Sequence, residues 1–424
     1  MSLWQRLKNH PIIDTCFHIK GNPRACLWTE PLWGIPYNLY VPFVSVFMNS
    51  QGVTDAQIGF ILSVGMVFQV LASLAGGVFT DKLGRRLTTI IFDCISWSVP
   101  CLIWAAAQNF WWFLVAQILN SMWQITNNSW TALLVEDCDP EKLVNIYAGI
   151  QITGLLAVFF APISTFLVGR FSMEATVRGL YLLSFVMMTA KFIILFVCGT
   201  ETEQGRIRMR ETKDVSWISL FKGYGEVFRK IISSPQMVMV AIFMVLSNIS
   251  NVTIGSFFGL YVTQKLGISE QFIPLFPMVR AVIMLAFYLF LQSFVNRFAF
   301  RPVIRVGFVA YILSHVALLL CPPQTLSGVF VYTLLEAIGA VLVGPRKESL
   351  AALFVDRQDR ARVNALLYVI MIGITSPFGW LIGVLSGMNR MLPFLVNIGI
   401  FVVSMVIILG NRALKEYDEE HQPG

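Results

Sequence analysis

Charge is what this 424-residue chain has least of. Asp, Glu, Lys and Arg make up 13% of it, about half the ~25% of a soluble protein. So few charges cannot cover the roughly three soluble domains that the length suggests. The deficit excludes a disordered chain and an ordinary cytosolic enzyme. Cysteine is sparse as well. The seven residues are scattered, which excludes a secreted disulfide scaffold. Cys16, His18 and Cys26 come nearest to a metal cluster, and their spacing fits no zinc pattern, so neither metal nor cofactor is expected. Arg6 and Lys8 are followed only by Ile12 and Ile13 before Asp14, too short an apolar run for a secretory signal. Residues 1–28 read as a cytoplasmic lead. No Gly-x-x-x-x-Gly-Lys-Ser/Thr loop occurs, so ATP is not the energy source within this chain. No nucleophile–base or metal constellation of an intramembrane enzyme is visible either, and the chain is not expected to be an enzyme.

What the chain has instead is apolar length. Hydrophobic residues make up 56% of it. A helix needs about 20 mostly apolar residues to cross a bilayer core of about 30 Å. Twelve such runs are read near 29–50, 56–80, 87–107, 111–136, 142–169, 177–198, 236–263, 269–292, 300–320, 325–355, 360–387 and 392–410. Barrel strands would alternate over about ten residues, so the class is an all-α membrane protein with lipid as its main partner.

The basic residues are placed asymmetrically. With both termini cytoplasmic, 23 of the 31 Lys and Arg fall in cytoplasmic segments. Only Arg170, Arg178, Lys265 and Arg390 fall on the other side, and Lys191, Arg280, Arg346 and Lys347 lie inside spans. This is a strong positive-inside bias. It accounts for the net charge of +7 through the membrane surface, without nucleic acid. A compact multi-pass chain without glycosylatable outer loops points to a bacterial inner membrane and a monomer.

The chain also reads as two halves. A basic cytoplasmic linker, 199–235, separates bundles of six spans at 29–198 and 236–410, followed by a tail at 411–424. Gly52-Val-Thr-Asp55 with Ile58 recurs 215 residues later as Gly267-Ile-Ser-Glu270 with Ile273. Thr54 and Ser269 are the expected N-caps of spans two and eight, with Gln57 completing a capping box in the first. Asn128-Ser-Trp-Thr-Ala-Leu-Leu-Val-Glu136 recurs 220 residues on as Glu348-Ser-Leu-Ala-Ala-Leu-Phe-Val-Asp356, and Asp139 and Asp359 continue the register. Duplicated halves of this kind are typical of secondary transporters, whose substrate site lies between repeats near the midplane.

The most specific motif is Gly77-Val-Phe-Thr-Asp81-Lys82-Leu-Gly84-Arg85-Arg86, between spans two and three. It resembles the loop 2–3 signature of the major facilitator superfamily, Gly-x-x-x-Asp-Arg/Lys-x-Gly-Arg/Lys-Arg/Lys, at every signature position. The resemblance implies two pseudo-symmetric six-helix bundles and a latch for the outward-facing state, formed by Gly77, Asp81, Gly84, Arg85 and Arg86. Physically, Gly77 would let two helices approach. Asp81 would accept hydrogen bonds from a helix N-terminus or an arginine. Gly84 would permit the turn, and Arg85 and Arg86 would sit at headgroup level. Asn296-Arg297-Phe-Ala-Phe-Arg301 is a degenerate copy in the second half.

Polar groups inside spans are costly and therefore candidates. Arg280, at the middle of span eight, is either half of a structural ion pair or a substrate contact. Glu336 and Lys347 share a face of span ten, and Gly344-Pro345 precedes Arg346-Lys347-Glu348 as an expected break lining a cavity. By the repeat register this triplet corresponds to Thr126-Asn127-Asn128, and the two are read as a gate or lower binding wall. Asp93 is expected to pair with Arg85 or Arg86. Lys191 is read as snorkelling, Glu30 as interfacial, and His315 as a hydrogen-bonded helix residue. Trp33, Tyr37, Asn38, Tyr40, Asn127, Asn128, Asn248 and Asn251 are the candidate cavity lining, because spans one, four, seven and ten line the central cavity in the superfamily. Trp97, Trp104, Trp111 and Trp112 are read as an aromatic belt.

These readings converge on a secondary active transporter of a small organic solute by alternating access, coupled to protons through Glu336 and Glu348. An aromatic and amide lining leans towards a sugar, nucleoside or other small polar metabolite. Drug/proton antiporters of the superfamily usually carry an arginine motif in span four and Gly-Pro-x-x-Gly-Gly in span five. Here span four has no arginine between 111 and 136, and span five reads Ala161-Pro162-Ile-Ser164. Drug or organic-anion export is the alternative, and a non-transporting sensor is the third reading.

Overall fold

The computed structural model describes residue 15 and residues 17–138, 142–215, 229, 233–295, 297–354, 360–411 and 414–415. Cys16, Asp139, Asn296, Asp356 and Asp359 lie outside this set, as do 1–14, most of 216–232 and most of 412–424. The side chain of Glu348 also lies outside it. The described residues form helices and connecting turns, with no strand among them. The chain divides into two units. The first comprises Met1–Val41 and Val64–Lys222, the second Pro42–Ser63 and Gly223–Gly424. The segment 42–63 thus belongs to the second unit, although sequence order places it in the first half.

In the first unit α1 (Gly21–Tyr40) packs against α10 (Met173–Cys198), α8 (Leu143–Val158) and α7 (Trp123–Val135). Pro31 and Pro36 lie inside α1, and a 3-10 turn at Val41–Phe43 separates it from α2 (Val44–Ser50). Pro42 in that turn has no N–H for the α-helical ladder, so the expected bend appears as a change of helix type. α3 (Asp55–Leu83) is followed by α4 (Arg85–Asp93), a wide π-type turn at Cys94–Ser98 and α5 (Val99–Ala106). α6 (Phe110–Asn120) is separated from α7 by a turn, and α9 (Ala161–Arg170) follows α8. The linker contributes α11 (Glu203–Thr212).

The second unit contains α12 (Pro235–Leu260), α13 (Leu275–Phe290), α14 (Gln292–Val295), α15 (Phe300–Leu319), α16 (Leu326–Phe354), α17 (Arg360–Met388) and α18 (Leu392–Gly410). α15 packs on α16 and α18, and α12 on α17 and α18. Val240, Phe243, Ile304, Phe308, Leu367, Phe401 and Ile408 fill one core, while Tyr261, Phe276, Leu318 and Phe394 fill another.

Among the described residues, ten helices are long and apolar enough to cross a membrane. The expected first and fourth spans are not among them; their polar and aromatic residues lower the mean hydropathy, and each is interrupted, at Val41–Phe43 and at Ser121–Met122. Large apolar side chains also face outward, such as Phe166 at 70% and Phe290 at 78% exposure. That arrangement suits a lipid solvent and backbone groups satisfied within each helix.

The capping box at α3 forms: Thr54 N–H donates to Gln57 Oε1 at 3.0 Å, and Gln57 N–H to Thr54 Oγ1 at 3.3 Å. Its expected repeat partner Ser269 makes no side-chain cap, because a 3-10 turn at Glu270–Phe272 precedes α13. α16 runs without a break through Pro345, so the expected interruption at Gly344-Pro345 does not occur.

Within the second unit, the start of α3 is fastened to α17. Asp55 Oδ2 accepts from Ser386 Oγ and Arg390 Nη1, each at 2.5 Å. A Cβ on Gly59 would stand 2.4 Å from the Gly379 carbonyl oxygen. Backbone is the obstacle there, so Gly59→Ala is expected to lower stability by about 1–3 kcal/mol through overpacking. Gly77→Ala, with open space around it, should leave stability unchanged or slightly raised. Thermal denaturation of the two variants in detergent separates these outcomes.

Candidate functional site

The loop 2–3 motif folds into a charged hub inside the first unit. Gly84 adopts φ 84°, a left-handed conformation that glycine enters without a Cβ penalty, and this turns the chain from α3 into α4. The close helix approach falls one residue earlier than expected. Gly77 has nothing near its Cβ position, whereas a Cβ on Gly76 would meet Asn128 Nδ2 at 2.5 Å and Ile125 Cα at 3.3 Å.

Arg85 is buried at 6% exposure. Its Nε and Nη2 engage both oxygens of Glu136 at 3.0–3.1 Å, and its Nη1 lies 3.3 Å from Asp81 Oδ1. Glu136 also accepts from the Thr202 hydroxyl at 2.6 Å. Arg86 stacks over the Phe196 ring at 4.4 Å and donates to the Phe196 carbonyl.

The helix N-terminus of α4 is capped by a carboxylate that the motif does not contain. Glu201 accepts the backbone N–H groups of Arg85 at 2.9 Å and Arg86 at 3.0 Å, where orphan donors and the helix dipole favour an anion. Asp81 faces the linker helix α11. Arg208 Nη2 lies 3.0 Å from Asp81 Oδ2, Thr212 Oγ1 donates to the Asp81 carbonyl at 3.1 Å, and Lys82 Nζ donates to the Thr212 carbonyl at 3.1 Å. The hydrogen bond to Asp81, then that to Glu211, holds the Arg208 guanidinium above its ordinary pKa. Glu136 was visible in the sequence as the end of an internal repeat. Glu201 and Arg208 carry no spacing signal.

The first unit also holds an aromatic column. Trp33 stacks on Tyr37 at 4.8 Å, and both meet the Trp97 ring edge-on, at 5.1 and 5.9 Å. Tyr37 continues to Tyr40, and Tyr40 to Tyr181 and Trp104. Trp97 and Trp104 therefore belong to the interior, with Trp104 6% exposed, and not to an aromatic belt. Trp111 and Trp112 are exposed, as a belt position demands. Asn38 spends its amide on the Gly34 carbonyl at 2.8 Å. Asn127 and Asn128 are exposed.

The expected pairing of Asp93 with Arg85 or Arg86 does not form, since both arginines are committed elsewhere. Lys191 does not snorkel. It is buried at 5% and bonds Glu30 at 2.7 Å, which makes Glu30 part of the interior too.

In the second unit Arg280 and Glu336 form a two-point ion pair, with Nε–Oε2 at 2.5 Å and Nη2–Oε1 at 3.2 Å. The Glu336 side chain is 6% exposed, while Arg280 keeps 41% of its side-chain surface open. Arg280 is thus paired on one side and exposed on the other. Tyr311 stacks flat on Phe401 at 4.6 Å. Both border a recess of about 50 Å³ with Ser247, Asn251, Lys347 and Ser404. Asn248 is half-buried and does not line it. Arg346 is buried and bonds the Leu342 carbonyl at 3.2 Å. His315 is fully buried, between the Tyr311 carbonyl at 3.0 Å and Asn397 Nδ2 at 3.3 Å.

Comparison with known proteins places this architecture. Over 152 residues the chain is 24% identical to the uncharacterized MFS-type transporter YqjV of Bacillus subtilis, covering 34% of this chain and 37% of that protein. Over 185 residues it is 26% identical to the multi-drug resistance efflux pump PmrA of Streptococcus pneumoniae, covering 42% and 45%. The matched stretches span less than half of either relative. The solved nucleoside transporter NupG superposes with a TM-score of 0.70 at 15% identity, over 93% of this chain and 98% of that one, a likeness of fold. A family model for the MFS_1 like family matches residues 38–396. The chain belongs to the MFS_1 like family of the major facilitator superfamily.

Proposed function

We propose that the chain is a secondary active transporter of a small organic solute, working by alternating access and driven by protons. It is an integral inner-membrane protein with both termini cytoplasmic, as the basic-residue bias indicates. The observation that carries this reading is the Arg280–Glu336 pair. A buried carboxylate is tied to one arginine that keeps 41% of its side-chain surface exposed. Protonating Glu336 would release Arg280, and a solute reaching Arg280 would favour that protonation. Glu348, one position beyond the recess-lining Lys347 on α16, is the second proton candidate.

The recess combines the Asn251 amide, three serine side chains and the stacked Tyr311 and Phe401 rings. At about 50 Å³ it would take one edge of a solute, and this lining suits the hydroxyl- or amide-bearing edge of a ring, as in a sugar or nucleoside. Export of drugs is the second reading, favoured by the likeness to PmrA. Lys347 and Arg280 favour an organic anion in the same reading.

A thermal-shift screen of the purified chain in detergent distinguishes these. A ligand at 100 times its Kd adds about 2.7 kcal/mol of apparent stability. Neutral polar metabolites are expected to raise the melting temperature. Stabilisation by lipophilic drugs alone would move the assignment to efflux. Once the solute is identified, Glu336→Gln should flatten the pH dependence of its transport, and an unchanged profile would place the coupling proton elsewhere.

A further inference from the structure

The first unit holds three ionisable groups that the reading above does not use. Glu30 on α1 and Lys191 on α10 pair at 2.7 Å. The Lys191 ammonium also lies 5.9 Å from the Trp33 ring and 5.5 Å from the Trp130 ring, so it is held on several sides. Asp93, the last residue of α4, is 5% exposed. Among the described residues it makes no ion pair, and the Thr126 hydroxyl is its neighbour, with Lys191 and Glu30 at longer range.

The charges therefore do not balance. Two carboxylates share one ammonium, and that ammonium is bonded to Glu30. An uncompensated buried charge costs several kcal/mol, so Asp93 needs a proton or another cation. The Thr126 hydroxyl is the neutral polar group beside Asp93. On the Lys191 side, Trp130 Nε1 is buried without a hydrogen-bond partner among the described residues, a state that native interiors rarely leave unexplained. The helix widens into a π-type turn immediately after Asp93, a distortion frequent at functional sites.

We propose that Asp93, poised by the Glu30–Lys191 pair, is a further proton-binding site, housed wholly in the first unit and separate from Glu336 and Glu348. The groups around it are few. α1 contributes Cys26 and Glu30, α10 contributes Lys191, and the turn after α4 contributes Cys94. α7 offers Thr126 and Trp130, which do not titrate, and α3 packs nearby through Ala72 and Phe79. The step is a simple exchange: the carboxylate oxygen takes a proton from hydronium, whose O–H bond breaks to leave water, and returns it to water by the reverse. Its role in coupling rests on the proton-driven reading above.

Difference infrared spectroscopy of the purified full-length protein between two pH values, without solute or flux, tests the site itself. The wild type should show a protonated-carboxyl band that titrates and shifts in heavy water. Asp93→Asn should lose that band, while Glu336→Gln keeps it. Lys191→Met, which leaves the aspartate in place, should move the band's midpoint up by about 1 pH unit, and Glu30→Gln should move it down. A band unchanged in Asp93→Asn, or a midpoint unmoved in both charge variants, would overturn the proposal. A titrating Asp93 in a protein that moves no protons with solute would leave the site standing and remove only its coupling role.

Discussion

Arg280→Ala is expected to lower stability by about 2–3 kcal/mol and to abolish accumulation of solute against a gradient. The stability loss stems from Glu336, whose carboxylate is left buried with no cation at its side. Breaking a fully enclosed pair costs about 3–5 kcal/mol; the figure here is smaller because Arg280 is open on one side and water screens part of the interaction. The orphaned carboxylate takes up a proton in preference to staying charged in a dry site. The variant should therefore behave as permanently protonated, with a flat pH profile. Arg280→Lys keeps the charge but not the two-point contact and should recover stability only in part. The double variant Arg280→Gln/Glu336→Gln should recover most of the stability and none of the coupling. If the double variant transports as the wild type does, the pair is structural alone. Thermal denaturation and solute accumulation, measured on the same four proteins, decide between these outcomes.

Arg85→Ala should be the most destabilising change in the first unit, at about 3–5 kcal/mol. Arg85 joins three partners at once: Glu136 through both oxygens, Asp81, and the Thr80 carbonyl at 3.3 Å. Without it, Glu136 retains only the Thr202 hydroxyl among these contacts. Lysine cannot reproduce the fork, so Arg85→Lys should rescue little. Arg208→Ala is the comparison that gives the number meaning. Arg208 also bonds a motif carboxylate, but its side chain is 41% exposed, and its loss should cost no more than about 1 kcal/mol. Equal effects of the two substitutions would contradict the burial argument. Because α11 rests on Asp81 and Lys82, Arg208→Ala should also make the linker easier to cut with protease while the melting temperature barely moves.

Much of the fold was legible because a bilayer enforces one simple rule, about 20 apolar residues per crossing. The capping box Thr54–Gln57 and the turn at Gly84 were legible for a related reason: each is decided by residues within four positions of one another. What the sequence hid was set at long range. Glu201 caps a helix end 116 residues earlier in the chain, and Arg390 ties down Asp55 across 335 residues; no periodicity records such partners. The tryptophans show the same limit. Trp104 and Trp111 look alike in sequence, near the ends of apolar runs, yet one packs against Tyr40 and Tyr181 and the other is 68% exposed. The snorkelling read for Lys191 failed because the partner that holds it inside, Glu30, lies 161 residues away. Pro345 was expected to break α16 because it removes one backbone donor, but the helix runs on through it.

The central claim is that solute and proton move together through this chain. Its most direct test is uptake into proteoliposomes of the solute found by thermal shift, under an imposed pH gradient, with the proton flux followed by a dye in the lumen. Solute should accumulate, protons should move in fixed proportion to it, and a protonophore should collapse both. Full accumulation with the pH gradient dissipated, or binding with no flux of either species, would contradict the claim.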